Sequence, residues 1–211
     1  MRQYYHKIIL IGIIVLALGL RLYKLAQVPI GLHGDEVGVG YNPYSLLKTG
    51  RDEYGVRWPL ALRADIPPLN FYLTAVSIGI LGKTDVAVRF PAVVYGVVTV
   101  WLTYVLAKKL FSVKAGLWAS LFLAISPWHI QASRIAHEAN LGLLLQIAGT
   151  ILFIKGLTKS WFMLGAATIW ALSLYAYHGP RLTTPLLMIS LVIIFRHKLR
   201  QIRIRWLIIS G

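Results

Sequence analysis

The segment PPLNFYLTAVSIGILG, from Pro67 to Gly82, decides in which direction every later segment of the chain crosses the membrane. It is almost entirely apolar, yet it is only sixteen residues long. A helix needs about 20 residues to cross the hydrocarbon core of a bilayer. We therefore predict that this segment is interfacial or re-entrant instead of spanning. Every later segment would run in the opposite direction if it crossed.

The composition around this segment is that of a polytopic membrane protein. Hydrophobic residues make up 57% of the 211 residues and charged residues only 14%, and apolar runs of spanning length recur. The first run has basic residues before it and no small-residue cleavage site after it, which predicts an uncleaved signal anchor. The predicted spans are 5–24, 87–107, 114–131, 139–156, 160–178 and 182–195, and a seventh begins near Trp206. We therefore expect the chain to be the N-terminal part of a longer protein.

The basic residues orient these spans. With a cytoplasmic N-terminus and a surface-lying Pro67–Gly82, the clusters at 108–114, 155–159 and 196–205 all fall inside, as the positive-inside rule favours. All acidic residues then fall outside: Asp35, Glu36, Asp52, Glu53, Asp65, Asp85 and Glu138. The predicted organisation is a first span within 1–25, a first external loop at 26–86 with juxtamembrane helices, and further spans within 87–211. We expect a multi-pass protein of the cell membrane whose chemistry lies on the external face.

Several function classes lack support in the sequence. The chain has no cysteine, which excludes disulfides, thiol catalysis and Cys-ligated zinc. The net charge of +15 comes from residues at the ends of apolar segments, not on one helix face, and this argues against a nucleic-acid partner. No phosphate-binding loop, dinucleotide fingerprint, nucleophile elbow or zinc-protease motif occurs.

The stretch PIGLHGDEVGVGYNPY places Asp35 and Glu36 side by side just after the first span. Asp35 can be interpreted as a helix N-cap, with Glu36 in the first turn, where the helix dipole favours a carboxylate. Pro43 then predicts a kink or a later start of the helix. Gly50, which follows LLKT, is a plausible C-cap. The alternative interpretation is functional, because ionisable groups near the membrane are costly and mark sites.

The other external loops also carry ionisable groups: Arg134 and Glu138 in one, His178 and Arg181 in the next. The arginines could instead snorkel to lipid head groups, and His178 could belong to an aromatic belt. A carboxylate can accept a proton from an attacking hydroxyl or amine. Arginine can bind a departing phosphate through two hydrogen bonds. Together these residue types predict group transfer from a lipid-linked phosphate at the membrane surface.

The order of several short motifs resembles a known family. The motifs are Arg21-Leu22 at the end of the first span, VPIGLHGDE (28–36), LLKTG (46–50), PPLNFYL (67–73), LGKTDVAVRFPAVVYGVVTVWLTYVLAKKLF (81–111) and ISPWHIQASRIAHEANL (125–141). Each is weak alone, but their order and spacing are similar to the N-terminal part of GT-C-fold glycosyltransferases of the protein O-mannosyltransferase and lipid A aminoarabinose transferase type. The resemblance covers nearly the whole chain.

The resemblance implies a polyprenyl-phosphate sugar as donor, inversion at the anomeric carbon, and Asp35 as the carboxylate that positions or deprotonates the acceptor, supported by Glu36. It further implies that Arg134 and Glu138 help to shape the donor site. In YHGPRL, Arg181 would contact the lipid phosphate, and His178 would belong to the same substrate-binding loop. One departure is Ile66, because many relatives have a basic residue before Pro-Pro.

Other predictions stay open at this point. No external D-x-D motif occurs, so a divalent metal is not supported. The acceptor could be a protein, a lipid or another glycan, and membrane lipids are expected as neighbours. The alternatives to an enzyme are a transporter or flippase of lipid-linked sugars, which would place polar groups at mid-membrane, and a non-catalytic scaffold fragment.

Overall fold

A computed structural model describes residues 2–62 and 66–209 of the chain, with side chains for 4–62 and 66–201. The described residues form helices and no β-sheet, which confirms the predicted all-α class. In chain order the helices are α1 (Arg2–Leu22), α2 (Gly34–Thr49), α3 (Leu69–Leu81), α4 (Asp85–Leu110), α5 (Val113–Ile125), α6 (Pro127–Ala132), α7 (Ala139–Gly156), α8 (Trp161–Leu174) and α9 (Gly179–Ile209).

Four of the described helices are long and apolar enough to cross a membrane: Tyr4–Leu22, Asp85–Leu110, Ala139–Gly156 and Gly179–Gln201. The chain is therefore a multi-pass membrane protein. The predicted spans 114–131 and 160–178 contain shorter apolar helices, α5 with 13 residues and α8 with 14. Helix α5 ends early because Ser126 is extended before Pro127, as residues before proline usually are.

The end of the chain differs from the prediction of a new span near Trp206. Helix α9 continues without a break from Gly179 to Ile209, and side chains from 202 onward lie outside the described residues. The stretch from Arg196 to Trp206 contains neither glycine nor proline, so no residue type that usually stops a helix intervenes. The basic cluster is thus part of one helix instead of a loop between two.

The helices define two opposite ends of the bundle. Helices α4 and α7 pack against each other and run in parallel, since Leu110 and Ile154, near their C-termini, line the same cavity. Helix α9 packs beside α7 and α8 with Phe195 and Leu199 near those C-termini. We call this end, which carries Lys109, the lysine end. The opposite end, with α2, α3 and the N-termini of α4, α7 and α9, is the carboxylate end.

Helix α3 begins and ends at the carboxylate end. Its first residue, Leu69, donates its main-chain N–H to the carbonyl of Tyr175 after α8, at 3.3 Å. Its last turn is followed within a few residues by α4, which starts at Asp85. With 13 residues the helix is about 20 Å long, shorter than the roughly 30 Å hydrocarbon core. It packs through Phe71 and Ile78 against α2 and α4.

Candidate functional site

A buried ion pair joins the start of α2 to the first turns of α4. Arg89 Nε donates to Glu36 Oε1 at 2.9 Å, and Nη2 donates to Oε2 at 2.9 Å. The same guanidinium donates to the carbonyl oxygens of Leu25 and Pro29, each at 3.0 Å, and to that of Gly31. Arg89 therefore fastens both α2 and the segment after α1 onto α4.

Glu36 receives two further hydrogen bonds from the main chain. The N–H of Ala136 donates to Oε1 at 2.9 Å and that of His33 donates to Oε2 at 3.0 Å. Burial alone would raise the pKa of Glu36, but the hydrogen bonds from Arg89, Ala136 and His33 and the charge of Arg89 outweigh it and lower the pKa. Both oxygens of this carboxylate are thus engaged by protein donors. Its role as the support of Asp35 stays a prediction.

Asp35 is the second residue of α2 and is exposed. The N-cap is His33, so Asp35 is not the cap that its local pattern allows. The reason is that the Glu36 carboxylate accepts a hydrogen bond from the main-chain N–H of His33, three residues before it in the chain. This contact belongs to a capping box with His33 as the N-cap and Glu36 as the third helical residue. Because Glu36 takes the capping role, the Asp35 carboxylate remains open to the surface.

Two cavities meet at Asp35. The larger, of about 700 Å³, lies between the segment before α2 and the segment before α7. The smaller, of about 310 Å³, lies between α2, α3 and the loops before α7 and α9. Two titratable side chains line both: Asp35 and His137. Glu138 and His178 line the smaller one, so three of the predicted site residues come together there.

His137 is a site residue that sequence reasoning missed. Its Nδ1 accepts a hydrogen bond from the main-chain N–H of Ala139 at 3.1 Å, so the neutral ring carries its proton on Nε2. Its ring meets Tyr177 edge to face at 5.4 Å between centroids. The only signal in the sequence is its position directly before Glu138, in a loop rich in polar residues. In this form His137 can donate a hydrogen bond to a ligand.

Arg134 is buried and does not line either cavity. It donates to the carbonyl oxygens of Leu20 at 2.9 Å and Val28 at 2.8 Å. Burial and the charge of nearby Arg89 lower the pKa of Arg134. Its guanidinium thus binds carbonyl oxygens at the end of α1 and in the segment after it, and it does not extend outward toward lipid head groups. The structure does not bring this predicted substrate-binding residue to the other candidates.

Arg181 is exposed in the first turn of α9. It borders a third cavity, of about 350 Å³, together with Pro67, Pro68 and Tyr175. It therefore lies beside the Pro-Pro segment that follows Ile66. Asp65, which precedes Ile66, lies outside the described residues.

A third buried guanidinium belongs to Arg21, which the sequence analysis placed only at the end of the first span. Its Nη1 donates to the carbonyls of Ala17 at 2.9 Å and Ala124 at 3.2 Å, and Nη2 donates to His129 Nδ1 at 2.7 Å. A Cβ on Gly96 would clash with Ser133 Oγ and come within 2.9 Å of Arg21 Nε, so a glycine is needed where α4 crosses these two side chains. Arg21 is a structural junction of α1, α5 and α6.

The part of the chain that the structure describes contains no cluster of potential metal ligands. There, no three His, Asp or Glu side chains converge closely enough to hold an ion. Metal independence stays a prediction from the sequence.

Comparison with known protein families identifies the family of this chain. A family model described as "Dolichyl-phosphate-mannose-protein mannosyltransferase" matches residues 65–211. The match includes the loops with His137, Glu138, His178 and Arg181, and it begins after Asp35 and Glu36. No curated protein matches the chain.

Proposed function

The chain belongs to the dolichyl-phosphate-mannose-protein mannosyltransferase family, which makes it a membrane glycosyltransferase, and from this premise we propose its reaction. A sugar passes from a polyprenyl-phosphate donor to an acceptor, with inversion at the anomeric carbon and with Asp35 as the base. The observation that carries this proposal is the position of Asp35, which lines two cavities that can take two substrates.

The bond changes follow from that position. An acceptor hydroxyl or amine in the larger cavity attacks the anomeric carbon of a sugar in the smaller one. A new bond forms at that carbon while its bond to the phosphate oxygen breaks, and the lipid phosphate leaves with the electron pair. Asp35 takes the proton of the attacking group. The Nε2–H of His137 borders both cavities and can orient either substrate.

The donor phosphate is assigned to the side of the smaller cavity that faces α9. His178 lines that cavity, and Arg181 follows three residues later in the chain. Arg181 borders the neighbouring cavity beside Pro67 and Pro68, where its permanent charge can bind a phosphate. Glu138 lines the smaller cavity and can accept hydrogen bonds from sugar hydroxyls.

The carboxylate end is proposed to face the outside of the cell membrane. The basic residues of the loops and helix ends at the lysine end favour a cytoplasmic position by the positive-inside rule. The acceptor and the identity of the sugar are open, and protein, lipid and glycan acceptors all fit the chemistry of a base beside an open cavity.

Replacing the proposed base tests the function. We expect Asp35→Asn in the full-length protein to lower sugar transfer at least about 100-fold, because general base catalysis commonly contributes that much. The amount of protein in the membrane should stay unchanged. Transfer is measured by mass spectrometry of cell-envelope glycans and of polyprenyl-phosphate sugars, with and without the gene.

Asp85→Asn is the matched control. Asp85 also lies in the first turn of a helix but lines neither of the two cavities at Asp35, so this variant should retain most of the transfer. Transfer at the wild-type rate by Asp35→Asn would refute the assignment of Asp35. Unchanged envelope glycans after loss of the gene would refute the proposed reaction itself.

A further inference from the structure

A cavity at the lysine end, far from the candidate site, has no role in the proposed reaction. It has a volume of about 550 Å³ and lies between the C-terminal ends of α4 and α7 and the second half of α9. Its polar lining consists of Lys109, Thr158, Lys198 and Gln201. Since α4 alone has 26 residues and is about 39 Å long, this cavity is separated from Asp35 by the thickness of the bundle.

The positive charge around this cavity is not balanced by carboxylates. Residues 139–211 contain no Asp or Glu, and between Val86 and His137 there is none either. The lysines at this end contact aromatic rings instead: Lys108 Nζ lies 5.6 Å from the Tyr104 ring and Lys198 Nζ lies 5.9 Å from the Phe195 ring. The buried salt bridge between Arg89 and Glu36 lies at the opposite end.

The remaining lining is apolar. Leu110, Ile154, Leu157 and Phe195 complete the wall. Below it, α9 presents large exposed apolar side chains, including Ile189 and Ile193, within a helix long enough to span the membrane. The site thus combines cationic and hydroxyl donors with an apolar surface that leads toward the membrane interior.

We propose that this cavity binds the head group of an anionic glycerophospholipid, with its phosphate between Lys109 and Lys198 and an acyl chain along α9. The Thr158 hydroxyl and the Gln201 amide can donate hydrogen bonds to the head group. Basic pockets between spanning helices are known sites for anionic lipid head groups. This inference does not depend on the proposed function.

Charge complementarity selects this occupant over a neutral lipid. Lys109 and Lys198 both line the cavity and no carboxylate does, so an anion between them balances charge that the cavity itself leaves uncompensated. Lysines at helix C-termini also complement the helix dipole, which explains Lys109 and Lys155. It does not explain Lys198, which lies within α9 about three turns before the end of that helix.

The proposed binding is tested by measuring which lipid stays bound to the purified protein. The purified full chain in neutral detergent is mixed with equal amounts of phosphatidylglycerol and phosphatidylcholine of identical acyl chains, and retained lipid is counted by native mass spectrometry. We expect clear preference for phosphatidylglycerol. Lys109→Gln combined with Lys198→Gln should reduce that preference about 20-fold, since each lysine near an anionic head group contributes several-fold.

The control is Lys48→Gln combined with Lys83→Gln, which removes the same charge at the carboxylate end. It should retain the preference, and unfolding midpoints by circular dichroism should be equal for both double variants. Equal loss in the control would refute the site, because general charge would then explain binding. Unchanged preference in the Lys109 and Lys198 variant would refute it as well. Displacement by inorganic phosphate without any preference between the lipids would refute a lipid occupant.

Discussion

Buried arginines hold the carboxylate end by donating to main-chain carbonyl oxygens. Arg89 and Arg134 donate to carbonyls at the end of α1 or in the segment after it, and Arg21 donates to Ala124 O in the last turn of α5. The carbonyls at a helix C-terminus lack intrahelical partners and carry partial negative charge, so they can compensate a buried guanidinium. Glu36 supplies the full negative charge in the buried salt bridge with Arg89.

Removing Arg89 should therefore destabilise the fold. We expect Arg89→Ala to lower the free energy of unfolding by about 3–5 kcal/mol, because it leaves the buried charge of Glu36 without its partner. Thermal unfolding in detergent, followed by near-UV circular dichroism, measures this. Arg51→Ala is the control, since Arg51 is exposed and donates only locally to Gly55; a loss as large there would contradict the assigned importance of the ion pair.

At the scale of elements, α2 is the helix that carries Asp35, and its two ends are defined by different residues. It begins at Gly34 and includes Pro43, so the later start that Pro43 could predict does not occur. Asn42 Nδ2 donates to the carbonyl of Gly38 at 3.3 Å beside the proline. At the C-terminus Gly50 is left-handed, with φ 68°, and its N–H donates to Leu46 O at 2.9 Å. The predicted C-cap is confirmed.

The left-handed conformation of Gly50 can be tested by adding a methyl group. Gly50→Ala should lower the free energy of unfolding by about 1 kcal/mol, because Ala is strained at positive φ. Nothing approaches its Cβ closer than 3.5 Å, so the cost is conformational. Gly12→Ala, in the middle of α1 with free space around it, should cause no loss. A neutral result at Gly50 would contradict this explanation of the cap. Both variants are compared by thermal unfolding.

At the scale of the whole molecule, His129 connects α6 to α1 through Arg21. It is buried, and its Nε2 has no hydrogen-bond partner. Burial and the charge of Arg21 lower the pKa of His129 from 6.5 to about 4. In the folded protein His129 therefore stays neutral until the pH falls to about 4, whereas in the unfolded chain it is protonated near its ordinary pKa of 6.5. The stability of the bundle therefore depends on pH through the His129 ring.

The sign of that dependence follows from linkage. Above pH 6.5 the His129 ring is neutral in both the folded and the unfolded state, so protonation of this ring does not lower the free energy of unfolding there. As the pH falls from 6.5 toward 4, the unfolded state gains a proton first, so we expect stability to fall by roughly 3 kcal/mol. His129→Asn should remove most of this dependence between pH 7.5 and 5, measured by thermal unfolding. The exposed His197→Asn should leave it unchanged; equal slopes in wild type and His129→Asn would disprove the attribution.

The sequence by itself determined the all-α class, the position of most helices and the short apolar helix within 67–82; the position of that helix on the membrane surface stays a prediction. Length and apolar content decide these features locally, because a short helix cannot cross the bilayer and a long apolar one is poorly soluble in water. The same reasoning named Asp35, Glu138 and His178, which the structure brings to one cavity. It identified residues that are costly near a membrane but not what each one contacts.

Only the tertiary structure decided the partners. Glu36 and Arg89 are 53 residues apart in the chain, and the pairing depends on how α2 packs on α4. The same packing turns Arg134 away from the cavities toward α1 and places His137 beside Asp35. Local patterns do not encode these contacts, because an arginine at a helix end can equally snorkel, pair with a carboxylate or bind carbonyls. The choice is fixed by which groups the packed helices leave within hydrogen-bond distance.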